Sequence, residues 1–213
     1  MDRLDQFTRV RWLLEDKFQT LQEAKILVCG CGGVGGVCID TLLRSGALNL
    51  TIIDFDKFEL TNQNRQLYSQ NLGAYKVDVF KQIYPSITAL NLKLTPEIIS
   101  QMDFTKYDVV VDAIDDMPAK IALAHATWEK LCSSMGGAKR IDPTAIKTAS
   151  VWKSSDDPFA RKFRYELKKS GFNGDFEVVF STEKPLCKNM GSFMGVTASF
   201  GLTLAWLVLK KLI

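Results

Sequence analysis

The sequence predicts an α/β fold: a mostly parallel sheet with helices on both faces, followed by a C-terminal α/β extension. Three observations carry that expectation. Short, nearly continuous apolar runs recur at residues 25–30, 49–56 and 107–115, the pattern of strands buried on both faces. Stretches of helical spacing separate them, and alternating strands and helices imply a parallel sheet. The first run ends in a glycine cluster that opens the next helix. This gives a strand–turn–helix–strand unit whose crossover should be right-handed.

The elements follow in order. Residues 5–21 read as an amphipathic helical lead-in. KILVCG (25–30) is a buried strand, and VGGVCIDTLLRSG is a helix stopped by Gly46. NLTIIDFD is the second strand, and residues 74–84 form a helix that ends before Pro85. YDVVVDAID (107–115) is a strand with acidic residues at its C-terminal end, and residues 119–132 continue as its helix. Beyond Gly136 the texture changes to loop and short strand. FARKFRYELKKSG then reads as a basic helix and FEVVFS as a strand. The reading is one domain over residues 1–213, with a nucleotide-binding core (1–135) and a substrate-side and C-terminal extension (136–213).

A chain of 213 residues buries roughly 70% of its unfolded surface and needs no disulfide or metal staple. Its five cysteines form no C-x-x-C pair, which argues against a zinc knuckle or a secreted disulfide framework and favours a reducing cytoplasm. The N-terminus is too charged for a signal peptide. A net charge of +3 does not by itself mark a nucleic-acid binder, but Arg161, Lys162, Arg164, Lys168 and Lys169 crowd one short stretch. The plain alternative is a solvated helix face. Residues 190–209 carry no charge, a length that could span a bilayer. Their glycines and hydroxyls suit a buried or dimer-interface helix instead, and membrane association stays open.

The glycine loop GCGGVG holds the most chemical information. Gly30, Gly32 and Gly35 satisfy G-x-G-x-x-G, and Asp54 closes the second strand about twenty residues on. Glycines let the backbone approach phosphates, the helix N-terminus offers free N–H groups, and Asp54 can bind ribose hydroxyls. The default reading is a dinucleotide oxidoreductase. Three further features favour ATP. Gly33 makes the loop denser than a dinucleotide fingerprint needs. Asp56 and TNQNRQ place Asn62, Asn64 and Arg65 just past the C-terminal edge of the sheet, where an arginine can offset charge on departing pyrophosphate. Lys76 supplies another cation, and Asp115 is placed to bind Mg²⁺ beside phosphate oxygens. Singly, Arg65 and Lys76 could be surface residues, and Asp112, Asp115 and Asp116 could cap the following helix.

In this order and spacing GCGGVG, IIDFD, TNQNRQ, Lys76 and DAIDD resemble the ThiF/MoeB adenylating superfamily, related to ubiquitin-activating enzymes. The resemblance implies ATP with Mg²⁺ and attack of a carboxylate on the α-phosphate. It assigns Asp54 to ribose, Asn62 to the nucleotide, Arg65 and Lys76 to phosphates, and Asp115 to Mg²⁺. FTRVRWLLEDK matches the leading helix of that superfamily. The match implies a homodimer in which Arg9 reaches into the ATP site of the other copy. Residues 136–169, VVFSTEKP and MGSFMGVTASFG are similar to its tRNA threonylcarbamoyladenosine dehydratase branch. That implies adenylation and cyclisation of threonylcarbamoyladenosine in tRNA. Lys139 and Arg140 join the basic stretch as expected phosphate contacts.

Two competing readings differ in class. An adenylating enzyme could instead act on the C-terminus of a ubiquitin-like sulfur carrier, with Cys187 as a mechanistic thiol. A non-catalytic nucleotide-binding partner of sulfur or iron–sulfur assembly would work beside a cysteine desulfurase or sulfur acceptor. A dehydrogenase ranks behind both, because no acid–base set for hydride transfer accompanies the fingerprint. His125, the only histidine, reads as structural, and Cys187 as an incidental loop cysteine.

Overall fold

The computed structural model describes residues 4–213. The lead-in is two short helices, α1 (Thr8–Leu14) and α2 (Lys17–Glu23), where the sequence suggested one. The break falls at Glu15, whose φ of 50° lies in the left-handed region and ends the first helix. Next come β1 (Lys25–Cys29), α3 (Gly35–Arg44), β2 (Asn49–Asp54) and α4 (Lys76–Ile83). They are followed by β3 (Thr88–Asn91), α5 (Pro96–Gln101), β4 (Val109–Asp112) and α6 (Met117–Thr127). The rest comprises β5 (Leu131–Ser134), β6 (Ile146–Ser150), α7 (Pro158–Lys169), β7 (Glu177–Ser181) and α8 (Met194–Leu212).

The strands form one seven-stranded sheet in the order β3-β2-β1-β4-β5-β7-β6. Every neighbouring pair is parallel except β6 with β7. The sheet therefore runs without interruption from the first half of the chain into the second.

Alternation along the strands divides the core. Ile26, Val28, Val109 and Val111 face a cluster with Leu42 of α3, Phe80 of α4 and Phe200 and Leu204 of α8. Leu27, Cys29, Val110 and Val178 face the other side, against Leu123 of α6 and Phe163 and Leu167 of α7. Apolar burial on both faces explains why the strands read as unbroken apolar runs.

Three further features depart from the sequence reading. Residues 119–132 are not one helix: α6 ends at Thr127, and Cys132 lies in the buried strand β5. Strand β3 was not anticipated because it is a largely exposed edge strand with no apolar run. Helix α5 was also missed, although Thr95 caps it by accepting the Ile98 N–H at 3.3 Å and Pro96 opens its first turn.

Helix α8 is long and apolar enough to cross a membrane by length and composition. Its inner face nevertheless lies in the core, packed on α3. A Cβ at Gly201 would sit 2.4 Å from the Val34 carbonyl oxygen, so this close helix crossing requires glycine.

Candidate active site

A cavity of about 680 Å³ opens at the C-terminal edge of the parallel strands, within the size range of small-molecule sites. It lies over β1, where the strand order reverses between β2 and β4, the switch point at which open α/β sheets bind ligands. Its walls are the glycine loop, residues 53–57, the turn bearing Asn62 and Arg65, residues 92–94, 113–116 and 134–138, and Met190, Ser192 and Thr197.

The glycine loop packs against the end of β4. Gly30 has φ +97° and a Cβ there would lie 2.7 Å from the Ala113 carbonyl oxygen, while one at Gly35 would lie 1.8 Å from the Gly30 carbonyl oxygen. Any side chain at these positions would push the loop off the sheet. Gly32 and Gly33 line the cavity, and a Cβ at Gly33 would lie 3.2 Å from Arg65. The positive end of the α3 dipole is thereby set at the cavity.

Asp54 joins two walls: one oxygen accepts the Cys31 N–H at 2.6 Å and the other the Asp56 N–H at 2.8 Å. Each oxygen keeps a further lone pair for a ligand hydroxyl. Asp56 forms an ion pair with the buried Lys76 at 2.9 Å, which fixes the ammonium at the cavity wall. The Asn62 amide oxygen accepts the Glu59 N–H at 3.0 Å and shapes the turn that precedes Arg65. Arg65 donates through Nη1 to the Thr61 carbonyl and to Asn64, each at 2.9 Å. Among the described residues its Nε and Nη2 have no protein acceptor, so one edge of the guanidinium is open to a ligand.

The three carboxylates after β4 have three different fates. Asp112 is fully buried and paired with Lys120 at 2.7 Å. Asp116 caps α6, accepting the Ala119 N–H at 2.9 Å. Asp115 is exposed at the cavity rim and has no protein donor among the described residues. No group of three or more metal-ligating side chains occurs among the described residues. Mg²⁺ is satisfied by one or two carboxylates together with phosphate oxygens, so Asp115 fits it once a nucleotide is present.

Lys120 was not anticipated. Its ammonium also donates to the carbonyls of Ile114 at 3.1 Å and Ser134 at 2.9 Å, and it lies beneath the rings of Phe159 and Phe163. It thereby ties together the two walls 113–116 and 134–138. The available signal was a lysine on the inward side of an otherwise apolar helix.

The basic residues divide sharply. Arg140 is withdrawn from the expected tRNA contacts, because its side chain is only 3% exposed. Its guanidinium donates to the carbonyls of Gly136, Ala138 and Glu183 and faces Asp157 at 3.5 Å. Burial pushes the Asp157 carboxyl up, an effect opposed by Arg140. Lys139 donates to the Lys188 carbonyl at 2.6 Å. Arg164 is held by Ser154, and Lys168 lies over the Trp152 ring at 5.7 Å. Arg161, Lys162 and Lys169 are exposed on α7 with no ion-pair partner among the described residues.

The remaining candidates lie elsewhere. Arg9 is exposed on α1 and does not line the cavity of its own chain. His125 is exposed, bonded to the Ser170 hydroxyl at 2.8 Å and set edge-on to Phe172, joining α6 to the end of α7. Cys187 is exposed with Sγ 3.2 Å from the Asn189 carbonyl, outside the cavity lining.

The ThiF family profile matches residues 5–213. The chain is 34% identical over 195 residues to the tRNA threonylcarbamoyladenosine dehydratase of Bacillus subtilis, covering 86% of this chain and 77% of that protein. It is 33% identical to the Haemophilus influenzae protein of the same name, covering 93% and 89%. The structure of the Escherichia coli tRNA N6-threonylcarbamoyladenosine dehydratase in complex with ATP superposes with a TM-score of 0.90 at 34% identity, covering 97% of this chain and 93% of that one.

Proposed function

The chain belongs to the ThiF family, and from its likeness to the dehydratases within that family we propose that it dehydrates threonylcarbamoyladenosine in tRNA at the expense of ATP. The observation that carries this reading is the convergence of the glycine loop, Asp54, Arg65, Lys76 and Asp115 on one cavity.

Gly30, Gly32, Gly33 and Gly35 and the N-terminus of α3 receive phosphate oxygens. Asp54 holds the ribose, Asn62 supports the nucleotide, and Asp56 holds the Lys76 ammonium in place toward the phosphates. Arg65 offers its free edge to the departing pyrophosphate, and Asp115 holds Mg²⁺, which offsets phosphate charge when bound. The carboxylate of the threonyl group attacks the α-phosphate, and pyrophosphate leaves. A group within the same modified base then attacks the activated carbonyl, closing the ring and releasing AMP. The net change in the nucleoside is the loss of one water. Because nucleophile and electrophile belong to one substrate, proximity replaces an enzyme nucleophile.

A second copy completes the assembly in this reading. Arg9 is presented outward on α1 beside the exposed side chains of Trp12 and Leu13, and it enters the ATP site of the other protomer of a homodimer. The reaction belongs to the cytoplasm, where tRNA is modified.

Purified protein with ATP, Mg²⁺ and tRNA bearing the modified base is expected to yield a digested nucleoside lighter by one water. Cys187→Ala is expected to retain that conversion within about twofold, since an exposed surface substitution is normally near neutral. Complete loss in this variant, with carrier-stimulated pyrophosphate exchange in the parent, would move the assignment to sulfur-carrier activation.

Transfer RNA binding rests on Arg161, Lys162 and Lys169 of α7, with Lys139, Arg164 and Lys168 as charges already engaged by the protein. Three neutralised phosphates give a slope of about −2 in log affinity against log salt, or roughly twentyfold weaker binding between about 50 and 200 mM. Filter binding across that range checks this, and Arg161→Ala should flatten the slope by about one. A flat salt profile would remove α7 from the interface.

A further inference from the structure

One carboxylate outside the cavity connects the three elements that carry its phosphate-seeking groups. Asp40 lies on α3, the helix that begins at the glycine loop. One of its oxygens accepts hydrogen bonds from the Tyr84 hydroxyl and, at 2.7 Å, from the Tyr68 hydroxyl. The other accepts the Arg44 Nε–H at 2.7 Å. Tyr68 lies three residues after Arg65 in the same loop, and Tyr84 closes α4, which begins with Lys76. None of Asp40, Tyr68 and Tyr84 lines the cavity.

The geometry is specific. Tyr68 has φ 63°, a left-handed backbone that a bulky residue rarely adopts and that persists only where the surroundings impose it. The hydroxyl bond to Asp40 and the tyrosine ring standing edge-on to Phe80 of α4 at 5.2 Å hold the side chain, while Asn71 donates to the Tyr68 carbonyl. Phe80 is fully buried and also packs under Gly36 at the start of α3. Burial alone would raise the Asp40 carboxyl, but the bonds from Tyr84, Tyr68 and Arg44 outweigh it and keep it below the usual carboxylate range. The tyrosines therefore meet an anion, the stronger class of acceptor.

We propose that Asp40 is a positioning residue: through Tyr68 and Tyr84 it sets Arg65 and Lys76 relative to the glycine loop, so that the β- and γ-phosphates of ATP meet a site already in place. The proposal rests on reading the cavity as an ATP site. Loss of the Tyr68 hydroxyl frees a strained backbone three residues from Arg65, and the loop relaxes. Gly30 and Asp54, which serve the nucleoside and its first phosphate, keep their own contacts with Ile53, Cys31 and Asp56, none of which involves either tyrosine. Positioning thus affects ATP selectively over AMP. A polar network that only stabilises the fold would affect both nucleotides alike or neither.

The test is calorimetric titration of the full-length protein, parent and Tyr68→Phe, with ATP–Mg²⁺ and separately with AMP. Tyr68→Phe keeps the ring on Phe80 and should fold. Its ATP affinity is expected to fall about tenfold while AMP affinity stays within about twofold. Tyr84→Phe should act in the same direction, through Lys76. Equal weakening of both nucleotides, or a lower Tm with both affinities unchanged, would overturn the proposal and leave a purely structural network. Failure of the parent to bind either nucleotide would overturn the ATP reading and the positioning role with it.

Discussion

Arg65→Ala is expected to reduce conversion of the modified nucleoside by about 10²–10³, the usual loss when one preorganised donor to developing charge is removed. The side chain has little structural duty: it spends Nη1 on the Thr61 carbonyl and on Asn64 and leaves Nε and Nη2 open. The fold should therefore be kept, and Tm should lie within a few degrees of the parent. Arg65→Lys should rescue little, because a point-charge ammonium cannot reproduce the planar fork that binds two oxygens at once. Nucleoside mass spectrometry beside a thermal melt separates the two effects. Near-parental conversion in a folded Arg65→Ala protein would place the pyrophosphate-facing charge elsewhere, with Lys76 the first candidate.

The parts of this site that were legible in the sequence are those whose chemistry is local. The glycine spacing, an acidic residue at the end of β2 and TNQNRQ just beyond it announce themselves within a few residues, and residues of all three line one cavity. The illegible parts depend on partners far apart along the chain. Arg140 looked like a free cation beside Lys139, yet its acceptors include the Glu183 carbonyl, 43 positions away. Asp40 has only Arg44, four residues on, as a local partner, and nothing nearby in the sequence reveals Tyr84 beside it, 44 positions away. Burial also hid element boundaries. Leu131 and Cys132 resume the apolar texture of α6 after Trp128, Glu129 and Lys130, and their pairing with β4 marks them as strand. Edge strand β3 shows the opposite case, since its half-solvated residues give no period to read.

The largest effect on stability is expected from Lys120→Met. Lys120 and Asp112 are both fully buried, and three acceptors surround the ammonium. Removing one member of a buried pair strands the other charge in a low-dielectric interior, which typically costs about 3–5 kcal/mol. For a chain of this size each kcal/mol corresponds to roughly 2–4 °C in Tm, so a fall of about 6–20 °C is expected by calorimetry. The loss should exceed that of any single substitution of the exposed α7 cations, which lie outside the core. Adding Asp112→Asn should recover a substantial part of it, because a neutral amide can still accept from the Ser133 hydroxyl, now 2.6 Å from Asp112, without a counter-ion. Activity should not recover in parallel. Lys120 also holds the Ile114 and Ser134 carbonyls, and without those bonds the walls carrying Asp115 and residues 134–138 lose their common anchor. A double variant with parental stability but reduced turnover would separate these roles, assigning the charge pair to folding and the lysine's carbonyl bonds to the geometry of the site. Full recovery of both would mean that the pair serves only to neutralise Asp112.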